Sequence, residues 1–75
     1  MDRKTQYKQL GLTIADYRKL KGMTQVELAE AVNLSRTHIS NLEAPSMRTS
    51  ISLAKLFDIA AVLNVPVKSL FDFRE

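Results

Sequence analysis

Ser35-Arg36-Thr37-His38-Ile39-Ser40-Asn41-Leu42-Glu43 is the stretch of this chain richest in side chains that hydrogen-bond in fixed directions. Arginine can pair with O6 and N7 of guanine, asparagine with N6 and N7 of adenine, and threonine offers a hydroxyl and a methyl to thymine. Ser35 and His38 also invite a nucleophile-and-base reading. No carboxylate is placed to orient the imidazole, and so short a chain has no length for a substrate pocket. A metal site fails for want of cysteine and of a second histidine. No catalytic, metal-binding or cofactor-binding residue is therefore assigned, and the chain does not read as an enzyme.

Apolar spacing shows how these groups are held. Ile39 and Leu42 stand three apart, as on the inner face of a helix from about Arg36 to Glu43 capped by Ser35. At about 100° per residue, burying them turns Thr37, Ser40 and Asn41 outward together. Arg36 lies further round but is long, and it sits at the N-terminal end, suited to a guanine or a phosphate. Just upstream, Thr24 and Glu27 form a capping box that starts another helix. Its inner face is Leu28, Ala29 and Val32, and Asn33 suits the left-handed turn that ends it. Two short helices joined by a tight turn, over 24–43, make the pattern of a helix-turn-helix.

The remaining spacing is also helical, and no strand pattern competes. A first helix, roughly Thr5 to Leu20, should bury Leu10, Ile14 and Tyr17 and stop at Gly22. Pro45 forbids continuation of the third helix. Beyond the polar loop Ala44 to Ser50, Leu53, Leu56, Phe57, Ala60 and Leu63 define a fourth helix with Ser50 or Ser52 as cap and Asn64 at its exit. Pro66 fits the first turn of a short fifth helix burying Val67, Leu70 and Phe71. The expected fold is all-α, a compact five-helix domain spanning residues 1–75.

The formal charge of +3 suits an anionic partner. Residues 1–48 carry eight basic and five acidic side chains, whereas residues 49–75 carry three of each, so the excess positive charge travels with the two-helix unit. There is no cysteine for a disulfide framework, and no apolar run long enough for a membrane span. These features point to a soluble, cytoplasmic protein.

From Leu10 to Phe71 the chain resembles the Xre family of phage-repressor and Cro-like helix-turn-helix regulators, whose fold is the lambda-repressor-like domain. The resemblance rests on Ile14 and Arg18, on Lys21-Gly22-Met23-Thr24-Gln25, and on Leu28-Ala29-Glu30, Leu34-Ser35, Ile39-Ser40 and Leu42-Glu43. It continues through Leu56-Phe57-Asp58-Ile59-Ala60, Leu63, Val65 and Leu70-Phe71. What the resemblance implies is sequence-specific binding of double-stranded operator DNA to control transcription. Arg36, Thr37, Ser40 and Asn41 then match base-contacting positions; Gln25, Ser35, His38 and Arg48 match or flank phosphate contacts. Arg18 and Glu43 match a basic-acidic pair tying the first helix to the end of the third. Two departures stand out: Asn33 replaces the common turn glycine, and Ala44-Pro45 begins a longer loop, with Ser46 and Thr49 as further phosphate candidates.

One small module buries only about 600–1,000 Å² on DNA, so useful specificity needs two copies on one duplex. A homodimer through the fifth helix and Leu70, Phe71 and Phe73 is expected, reading a palindrome as a repressor, with no small-molecule effector. The rival reading is an antitoxin-type module that combines operator binding with a protein-protein contact.

Overall fold

A computed structural model describes residues 2–44 and 49–73 of the chain. Four α-helices occur in order, α1 Arg3–Leu20, α2 Gln25–Val32, α3 Arg36–Glu43 and α4 Leu53–Leu63, followed by a 3-10 turn at Val67–Phe71. The described residues contain no strand. None of their helices is long and apolar enough to cross a membrane.

Each helix starts on a side chain that takes up amides the helix leaves unpaired. Asp2 accepts from the amide of Thr5 at 2.7 Å, which starts α1 two residues earlier than the apolar spacing suggested. Thr24 and Glu27 exchange reciprocal bonds, Thr24 N–H to Oε1 at 2.8 Å and Glu27 N–H to Oγ1 at 3.1 Å. Ser35 and Ser52 cap α3 and α4 in the same way, accepting from His38 and Lys55. Helix exits repeat one device. Gly22, Asn33 and Asn64 adopt φ of 75°, 58° and 59°, the left-handed region. At each of them the next amide reaches back into the last turn, as in Met23 N–H to the Arg18 carbonyl at 3.1 Å.

Leu10, Ile14, Leu28, Val32, Ile39, Leu42, Leu56, Ile59, Leu63 and Leu70 form one core, with Ala29 and Ala60 filling the close approaches. Tyr17 is half-buried at its edge. In α4 the inward positions are Leu56, Ile59, Ala60 and Leu63, while Leu53 and Phe57 stay 59% and 51% exposed. The expected fourth helix is thus present, but Ile59 takes the core place assigned to Phe57.

The short fifth helix is present as a 3-10 turn, Val67–Phe71. Pro66 precedes it instead of lying in its first turn, and the Ser69 amide donates to the Pro66 carbonyl at 2.9 Å, closing a three-residue loop. Leu70 is fully buried, Val67 half-buried and Phe71 46% exposed, so Phe71 is not the core residue expected.

Gly11 holds α1 against α3. It lies buried in mid-helix, where glycine costs about 0.5–1 kcal/mol relative to alanine. A Cβ there would collide with the Leu42 carbonyl oxygen and sit 3.1 Å from its carbonyl carbon and 3.4 Å from Glu43 Cα. Only a hydrogen at this position lets α1 lie directly on the last turn of α3.

Candidate nucleic-acid interface

The α3 helix buries Ile39 and Leu42 and turns its other side outward. Arg36 and Thr37 are exposed; Ser40 and Asn41 are half-buried one turn further on. Neither Thr37 nor Asn41 donates or accepts a side-chain hydrogen bond among the described residues. Their amide and hydroxyl groups are open to a ligand.

The one carboxylate on α3 is removed from that face. Glu43 is 7% exposed and receives Arg18 in a two-pronged pair, Nε to Oε2 at 2.7 Å and Nη2 to Oε1 at 2.9 Å. The remaining guanidinium nitrogen, Nη1, donates to the Met23 carbonyl at 2.7 Å in the turn before α2. Bonding to Glu43 outweighs burial and raises the Arg18 pKa above its ordinary value, so the guanidinium stays charged. Such a planar fork is among the stronger polar contacts a protein makes. A carboxylate that would repel an anionic ligand is thereby spent inside the domain.

Gln25 completes this junction. Its Nε2 donates to Glu43 Oε1 at 3.0 Å, so the first residue of α2 clasps the last residue of α3. A primary amide has a second N–H, and half-buried Gln25 keeps it for another acceptor. Ser35 uses its hydroxyl as the α3 cap. His38 Nε2 lies 3.0 Å from the Ser50 carbonyl; a carbonyl only accepts, so this nitrogen carries the proton. The imidazole therefore joins α3 to the segment before α4 instead of extending freely toward solvent. Arg48 and Ser46 lie outside the described residues.

Two positioning residues carry signals that the spacing argument did not use. Lys55 donates Nζ to the Val32 carbonyl at 2.6 Å, placing a cation at the negative end of α2 and fixing α4 to it. Gly11 was visible as a glycine inside a helical pattern, but the partner that requires it is 31 residues away, at Leu42. Among the described residues no cluster of His, Asp and Glu could hold a metal ion.

Residues 14–70 match the helix-turn-helix family. The chain belongs to the Xre-type helix-turn-helix regulators. The family is one of helix-turn-helix transcription regulators. It is 36% identical over 63 residues to the HTH-type transcriptional regulator SinR of Bacillus subtilis (strain 168), covering 84% of this chain and 56% of the relative. The ImmF control region 10 kDa protein of Bacillus phage phi105 is 39% identical over 56 residues, 69% of this chain and 62% of that protein. The chain thus spans somewhat over half the length of these curated relatives. A crystal structure of SinR in complex with DNA superposes with a TM-score of 0.75 at 36% identity, covering 84% of this chain and 98% of that one.

Proposed function

We propose that this chain is a sequence-specific double-stranded DNA-binding regulator, with α3 lying in the major groove and Arg36, Thr37, Ser40 and Asn41 meeting base edges. One observation carries this reading: α3 presents open hydrogen-bonding groups on its outer side, while its lone carboxylate is neutralised by Arg18 within the fold. Gln25 keeps a second N–H, and Arg36 sits in the first turn of α3, at the positive end of that helix, so both suit phosphates. The likeness to a SinR structure solved with DNA supports the same placement.

Two copies on one duplex would read a palindrome with half-sites roughly 34 Å apart, and repression would follow from excluding polymerase. Leu70 is fully buried and takes no part in pairing. Phe71, with Phe73 at a ring-centroid distance of 6.3 Å, is the apolar group left for a homodimer contact in that region. Phe71→Glu should then give a folded monomer with weakened operator affinity, checked by sedimentation; a dimer unchanged by it would assign pairing elsewhere.

Selection of bound duplexes from a random pool, followed by mobility shifts at two salt concentrations, tests the reading. An enriched palindrome bound far better than scrambled DNA is expected. A pool from which nothing is enriched would overturn it.

A further inference from the structure

The first two turns of α1 lie ahead of the segment that matches the family, which begins at residue 14. They bring side chains up to the segment that leads into α4. Arg3 and Tyr7, four residues apart and so on one side of α1, line an open depression of about 460 Å³ with Thr49 and Ser50. Among the described residues its lining holds one guanidinium and three hydroxyls, and no carboxylate. Among the described residues no acidic side chain pairs with Arg3; the neighbouring Asp2 carboxylate caps α1 by accepting from the Thr5 amide.

The depression is coupled to α3. Ser50, on its wall, accepts the hydrogen bond from His38 Nε2, and His38 is one residue from Thr37 on the helix assigned to the groove. A permanent cation surrounded by hydroxyl donors is the chemistry that binds a phosphate, and its attachment to α3 selects a phosphate of the same duplex.

We propose that Arg3, Tyr7, Thr49 and Ser50 seat a DNA backbone phosphate flanking the base pairs read by α3, making the start of α1 a second clamp on the duplex. This rests on the reading of α3 given above. Arg3 supplies the charge and the hydroxyls fix its direction. The clamp sets register and affinity and carries no sequence preference of its own.

The test compares the full chain with Arg3→Ala and Tyr7→Phe on the selected operator and on scrambled duplex. Both positions are exposed, so both variants should melt as the parent does by circular dichroism. Losing one phosphate charge lowers the slope of log affinity against log salt by about 0.9. The deficit of Arg3→Ala at 50 mM salt should therefore shrink by roughly 3.5-fold at 200 mM. Its preference for operator over scrambled DNA should be unchanged. Tyr7→Phe should weaken binding with the slope intact. A neutral methylphosphonate scanned along the operator should find a position that weakens the parent and not Arg3→Ala. Parallel salt lines and identical scans for parent and Arg3→Ala, with the parent still selective, would overturn the clamp alone. A parent that binds no duplex would overturn the α3 reading and the clamp with it.

Discussion

Gly11→Ala sets two physical effects of opposite sign against each other. Helix propensity alone favours alanine by about 0.5–1 kcal/mol at an interior position. Against this stands the Leu42 carbonyl, which the new methyl group would strike, with the Leu42 carbonyl carbon and Glu43 Cα close behind at 3.1 and 3.4 Å. These obstacles are backbone, so no rotamer change relieves them; α1 and α3 must separate. Separation also strains the Arg18–Glu43 fork, whose two bonds of 2.7 and 2.9 Å cross the same junction. Overpacking of this kind typically costs about 1–3 kcal/mol, and a rigid obstacle together with a stretched ion pair belongs at the upper end. The net expectation is destabilisation by about 1–2 kcal/mol, a large fraction of the total for a domain this small. Thermal melting should fall by roughly 4–16 °C, at about 4–8 °C per kcal/mol. Urea and thermal unfolding followed by circular dichroism measure it, with Lys8→Gly, exposed on the same helix, reporting the propensity effect alone. A Gly11→Ala melting temperature equal to or above the parent's would refute the close-approach argument.

Other perturbations separate stability from recognition. Glu43→Ala leaves the Arg18 guanidinium buried and unpaired and should cost about 3–5 kcal/mol in urea unfolding. Asn41→Ala should melt as the parent does yet lose about 1–3 kcal/mol on the cognate site, with relaxed preference at one base pair; equal losses on random DNA in a mobility shift would contradict its role. Thr24→Ala removes half of the α2 capping box and should cost about 1 kcal/mol. Bonding from the Thr24 amide, and then from its hydroxyl, holds the Glu27 carboxyl below its ordinary value of 4.5. Its stabilisation is therefore complete above the unfolded pKa and disappears as pH falls through the lower folded one. Glu27→Gln keeps an acceptor but cannot titrate, so its melting temperature should drop less than the parent's between about pH 5 and pH 3.

Much of this architecture can be read from local chemistry. The ends of α2 and α3 follow from Thr24 with Glu27, from Asn33, and from Ser35, because a cap acts within four residues of the chain it caps. The outward set on α3 is equally local, following from Ile39 and Leu42 facing in. Three features escape such reading for one reason: their partners are distant in sequence. Gly11 needs the Leu42 carbonyl, Lys55 needs the Val32 carbonyl, and His38 needs the Ser50 carbonyl. Side-chain type also misleads where a helix has more apolar residues than core positions. In α4, Leu53 and Phe57 are as hydrophobic as Leu56 and Ile59, and only the packing of α2 and the 3-10 turn decides which pair is covered. At the C-terminal end, Leu70 and Phe71 are adjacent, so the tight geometry of a 3-10 turn can bury one of them and must expose the other.

The junction of Arg18, Glu43 and Gln25 fixes the orientation of α3 from its C-terminal end, while Ile39 and Leu42 fix its depth. Arg36, Thr37 and Asn41 contribute to neither. On the proposed reading of α3, an evolving lineage can exchange those three letters and acquire a new address on the genome while the scaffold keeps its rigidity, so divergence of targets between duplicated copies need not pass through an unstable ancestor.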